Sequence, residues 1–76
     1  MGIKLPQVSG KELGHILLRL GFELSGQKGS HMKFVRGSFR GKETIIVPHH
    51  KAIRKGTLHN IIQKLNIDLN EFLKLL

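Results

Sequence analysis

The chain has 76 residues and no cysteine, and its thirteen Lys and Arg against five Asp and Glu give a formal charge of +8. So short a chain forms one domain with one small core, because it buries only roughly 60% of the surface that it exposes when unfolded. Disulfides, thiolate catalysis and cysteine-ligated zinc are excluded, and basic residues spread from Lys4 to Lys74 point to a polyanionic partner, either nucleic acid or an acidic membrane surface, although a basic face kept for solubility would look the same.

Residues 1–7 read as a lead-in to a helix opened by Val8-Ser9-Gly10-Lys11-Glu12-Leu13. Ser9 can accept from the Glu12 amide while Glu12 reaches back to Ser9, and Val8 with Leu13 fits the apolar staple of such a box. Leu13, Ile16, Leu17 and Leu20 follow at helical spacing, and Gly21 is the expected stop.

The period then changes to two. Phe22 and Leu24 alternate with Glu23 and Ser25, and a turn is expected over Gly26-Gln27-Lys28-Gly29. Met32 and Phe34 alternate with His31, Lys33 and Val35; Gly37 and Gly41 mark a second turn; Ile45 and Val47 alternate with Thr44 and Ile46 up to Pro48. Three short strands joined by tight turns make an antiparallel meander.

A basic connector, residues 49–56, leads to a second helix with Leu58, Ile61, Ile62 and Leu65 on one face, Thr57 as its expected cap and Asn66 as its end. Asp68 and Glu71 repeat the cap-and-acid pattern before a short last helix bearing Leu69, Phe72 and Leu73. The order α-β-β-β-α-α predicts an α+β fold, one domain over residues 1–76, with a three-stranded antiparallel sheet covered on one face by helices. No apolar run follows Met1 as a signal peptide requires, and none approaches the ~20 residues of a membrane span, so a cytoplasmic protein without a membrane anchor is expected.

Strand alternation sorts the chemistry. Phe22, Leu24, Met32, Phe34, Ile45 and Val47 form the expected core face, which leaves Glu23, Ser25, His31, Lys33, Val35, Thr44 and Ile46 on the open face. His31 can donate or accept a proton at neutral pH. RNA carries its own nucleophile, the 2′-OH, so its cleavage needs only a group to move protons and cations to hold the phosphate. His31 therefore reads either as such a group or as an ordinary surface strand residue. Gly29 allows a positive φ or a close phosphate approach, and Ser30 can bond a phosphate or orient the imidazole; both also suit a plain hairpin turn. Lys51, Arg54 and Lys55 precede the second helix, where phosphates favour helix amides and basic side chains, though a solvated basic loop would look the same. Adjacent His49 and His50 are poorly spaced for one metal, and His15 and His59 read as helix-surface residues, so no metal or small-molecule cofactor is expected. Aromatics are scarce; only Phe39, in a turn, is placed to stack a base.

Several segments together resemble the HicA toxin (YcfA-like) family. They are Lys4-Leu5-Pro6-x-Val8-Ser9-Gly10-Lys11-Glu12, Leu20-Gly21-Phe22, Gln27-Lys28-Gly29-Ser30-His31, Ile46-Val47-Pro48-x-His50, Lys55-Gly56-Thr57-Leu58-x-x-Ile61 and Glu71-Phe72-Leu73. The resemblance spans nearly the whole chain and rests on order and spacing. It implies a double-stranded-RNA-binding-like fold, mRNA cleavage that inhibits translation, and neutralisation by a HicB-type antitoxin. It also implies that His31 is the catalytic histidine and that Gly29 and Ser30 belong to its motif. The family has one histidine after the proline where this chain has His49 and His50, and either can correspond. Phosphate-contact roles for Lys28, Lys33, Lys51, Arg54 and Lys55 come from charge and expected geometry rather than from the resemblance. Three functions follow as expectations: a metal-independent endoribonuclease of a toxin–antitoxin pair, a non-catalytic double-stranded-RNA-binding module, or a protein-interaction domain anchored by Val35 and Ile46.

Overall fold

The computed structural model describes residues 5–39 and 41–76; the first four lead-in residues, with the Lys4 that begins the family-like opening, lie outside them. The elements run α1 (Gly10–Arg19), β1 (Glu23–Lys28), β2 (His31–Ser38), β3 (Gly41–Pro48), α2 (Lys55–Leu65) and α3 (Leu69–Lys74). This is the α-β-β-β-α-α order of the expected α+β fold.

Local hydrogen bonding explains two helix starts. At α1 the Glu12 amide donates to Ser9 Oγ at 3.0 Å and the Ser9 amide donates to Glu12 Oε1 at 2.9 Å, the reciprocal box. These bonds hold the Glu12 carboxyl below its ordinary range, the Ser9 backbone bond contributing most. At α3 the Glu71 amide donates to Asp68 Oδ1 at 2.8 Å. Gly21, with a φ of +96°, follows the end of α1, and Asn66, at +57°, closes α2. The start of α2 differs from expectation. Its cap position is Arg54, no side-chain oxygen caps it, and Thr57 lies inside the first turn. Its entry is set by packing, since Ile53 before it and Leu58 within it are both buried.

The sheet is antiparallel in the order β1-β2-β3. Met32 faces Val47 and Phe34 faces Ile45 across β2 and β3. All four are buried in one core with Leu13, Leu17, Phe22, Leu58, Ile61 and Phe72. Each such side chain contributes roughly 1.5–3 kcal/mol by leaving water. Helix α1 lies against β1 and β3. At the far end of β2 from His31, Arg36 ties β2 to β3 and to the connection between α1 and β1. Its Nε donates to Glu43 Oε1 at 2.7 Å, its Nη1 donates to the Leu20 carbonyl at 2.9 Å, and its guanidinium sits 4.3 Å over the Phe22 ring.

Two expectations in β1 fail for one reason. Leu24 stands opposite Phe34, yet it is 51% exposed rather than in the core. The strand lies at the sheet edge with every residue exposed, and the register shifts between Leu24 and Gly26 in a bulge. Beyond the bulge the strand continues, so Gly26, Gln27 and Lys28 pair with Lys33, Met32 and His31 instead of forming a turn. The turn is only Gly29-Ser30. Among its two residues only Gly29, with a φ of +59°, lies in the left-handed region, as a type II′ hairpin requires.

Candidate functional site

His31 is the first residue of β2, immediately after this turn, and its side chain is exposed. Its cross-strand partners are Lys28 on β1 and Pro48 on β3. Directly opposed residues hold their Cβ atoms about 4.5–5.5 Å apart. Lys33, two residues on, lies between Gly26 and Ile46 on the same face. The bulge is what places Lys28 here. An unbroken register from Leu24 opposite Phe34 would have put Gln27 across from His31. Gly29 faces open space, so its backbone angle rather than its size calls for glycine. Its carbonyl accepts from Gln27 Nε2 at 3.3 Å. The Ser30 carbonyl accepts from the His49 amide at 2.6 Å, so the turn beside His31 also holds the start of the connector.

That connector is stitched down along its length. The Gly10 amide donates to the His50 carbonyl and the Ile53 amide to the Val8 carbonyl, each at 2.8 Å. Ile53 is 4% exposed, a core residue that the basic character of its neighbours concealed. Gly10 packs against the Pro48 carbonyl and His49 Cα with no room for a Cβ. The start of α1 therefore clamps residues 48–50 against the hairpin turn.

The result is a groove of about 310 Å³ lined by His31, Ile46, Pro48, His50, Arg54 and Thr57. A second groove of about 170 Å³ shares Ile46 and Thr57 with it and runs between β3 and α2 to Asn60 and Lys64. Together they make a furrow along the β3 edge with an apolar strand wall and, among the described residues, no carboxylate lining it. Of the residues singled out from sequence, His31 and Arg54 meet in the groove. Lys28 and Lys33 flank His31 on the sheet face by register. Gly29 and Ser30 shape the turn. Lys51 and Lys55 are exposed but do not line the groove. Nor does His49, and His15 and His59 are exposed on the helices.

Sequence reasoning did not bring His50, Pro48 and Thr57 to this site. A signal for two of them existed. Ile46, Pro48 and His50 continue the period of two past the end of β3, on the parity that faces His31. The pairing of His31 with Pro48 that gives this parity its meaning requires the sheet register.

Chemically, the groove presents two imidazoles, a guanidinium and a hydroxyl beside two lysines. That set can move protons and hold a phosphodiester. A family model described as the HicA toxin of bacterial toxin–antitoxin systems matches residues 10–67, from α1 through the hairpin and groove to just past α2. Neither the curated proteins nor the solved structures give a match.

Proposed function

The chain belongs to the HicA toxin family of bacterial toxin–antitoxin systems, and from that footing we propose that it is a metal-independent endoribonuclease that cleaves mRNA and so inhibits translation. His31 is its acid/base group. The observation that carries this reading is an exposed imidazole in a carboxylate-free groove with Arg54, flanked across the sheet by Lys28 and on its own strand by Lys33. A polyanion meets no like charge along that furrow, and the surrounding cations draw it in.

In the reaction the 2′-OH oxygen attacks the adjacent phosphorus, and the bond from phosphorus to the 5′ oxygen breaks. The products are a 2′,3′-cyclic phosphate and a 5′-OH. The substrate supplies the nucleophile, so the protein contributes proton transfer at His31 and fixed positive charge on the phosphate oxygens from Arg54, Lys28 and Lys33. Gly29 and Ser30 hold the turn that orients His31. Lys51, on the connector, and Lys55, at the start of α2, are exposed and add to the protein's basic surface. A family of toxin–antitoxin systems implies an antitoxin; we assign a HicB-type protein to that role, acting in the cytoplasm by covering His31 and the half-exposed Ile46.

The test is purified protein with single-stranded RNA in the presence of a chelator. Strand scission leaving 2′,3′-cyclic phosphate ends is expected, and 3′-OH ends would remove the 2′-OH mechanism. His31→Ala should fold normally, since an exposed substitution changes stability by no more than about 0.5 kcal/mol, and should neither cleave RNA nor inhibit growth. Full cleavage by the folded variant would refute the role of His31. RNA binding without strand breaks by the unaltered protein would make this a non-catalytic double-stranded-RNA-binding module instead.

A further inference from the structure

We propose that His50 is the second proton-transfer group of the cleavage reaction, acting as the partner of His31. The inference rests on the nuclease reading above and adds a residue that motif reasoning left without a role.

Cleavage by the 2′-OH moves two protons. One leaves the 2′ oxygen as it bonds to phosphorus, and one must reach the 5′ oxygen as its bond to phosphorus breaks. The entering and leaving oxygens lie roughly in line through phosphorus, so a single imidazole beside one of them is poorly placed for the other. A neutral imidazole and an imidazolium flanking the phosphate complete the exchange with no net proton change. The base takes the 2′ proton, the acid gives its own to the 5′ oxygen, and proton exchange with water restores both once the products leave.

His50 supplies a second imidazole in the groove that holds His31, with Arg54 beside them to hold the non-bridging oxygens, and His49 does not line it. Both imidazoles hang from one clamped frame. The Ser30 carbonyl next to His31 receives the His49 amide, and the His50 carbonyl receives the Gly10 amide. Gly10 closes on Pro48 and His49 so tightly that residues 48–50 cannot drift from the turn without moving α1. An exposed side chain on a fixed backbone is what a positioned acid or base requires.

The experiment compares His31→Ala, His50→Ala and His49→Ala on two RNAs. One is all-oxygen; the other carries a single 5′-bridging sulfur at the scissile linkage, whose thiolate departs without a proton. Each variant is first checked for native circular dichroism; alanine at position 50 leaves its carbonyl bond to Gly10 intact. On all-oxygen RNA, His50→Ala should lose about 10²- to 10⁴-fold in rate, while His49→Ala stays within a few-fold of the unaltered protein. On the sulfur substrate, one of the two active-groove variants should regain most of its lost rate and the other should not, which identifies the acid. Normal cleavage of all-oxygen RNA by His50→Ala overturns the proposal, as does sulfur rescue of both variants or of neither. Failure of the nuclease reading itself would show separately, as an unaltered protein that cleaves no RNA.

Discussion

Gly10→Ala sets two opposed effects against each other at one position. Alanine is the better helix former, by about 0.8–1.0 kcal/mol in a helix interior and by less at the first helical residue, where Gly10 sits. Against this, the new Cβ would overlap the Pro48 carbonyl oxygen and come within 2.9 Å of His49 Cα. Both are backbone atoms, so neither can swing aside as a side-chain end would. Carbon atoms prefer about 3.5–4.0 Å, so the start of α1 must retreat by at least about 0.5 Å. That retreat strains the 2.8 Å bond from the Gly10 amide to the His50 carbonyl. Overpacking costs about 1–3 kcal/mol and a lost hydrogen bond about 1 kcal/mol more. After the helical gain is subtracted, Gly10→Ala should destabilise by about 1–3 kcal/mol. For a domain of this size each kcal/mol lowers Tm by about 4–8 °C. Gly56→Ala is the control. Its Cβ would enter open space within α2, so the variant should gain up to about 1 kcal/mol. Urea and thermal unfolding followed by circular dichroism read both. A Gly10→Ala protein as stable as Gly56→Ala would refute the clamp, and with it the physical basis for a fixed His50.

Two further expectations concern the sheet edge and the α1 cap. Leu24→Ser should change stability by no more than about 0.5 kcal/mol because Leu24 is half exposed, whereas Phe34→Ala, directly opposite and buried, should lose about 3–5 kcal/mol; comparable losses in urea unfolding would return Leu24 to the core. At the cap, Glu12 has a lowered folded-state pKa, so in acid the unfolded chain binds the extra proton and stability rises with pH. The contribution is complete above the ordinary carboxylate range and fades as pH falls through the lowered value, so Glu12→Ala should flatten the acid limb of a Tm-versus-pH curve. An unchanged limb would mean that the box adds nothing. Ser9→Ala should cost about 1 kcal/mol at neutral pH in the same assay.

The sequence by itself determined the features whose cause lies within a few residues. The Ser9–Glu12 box, the Asp68 cap, the stop at Asn66, the order of elements and the shared face of His31 and Lys33 follow from local hydrogen bonding and side-chain period. The family-like order of motifs was legible for the same reason, since motifs are runs of neighbouring residues. Tertiary structure decided where distant segments meet. An edge bulge moved Lys28 opposite His31 and left Leu24 in water. The clamp of Gly10 on residues 48–50 turned an apparently loose basic connector into a wall, buried Ile53, and brought His50 rather than His49 to the groove. Register and close backbone approach depend on packing the whole core at once. The free energy that selects them is shared among residues far apart along the chain, and no local pattern carries it.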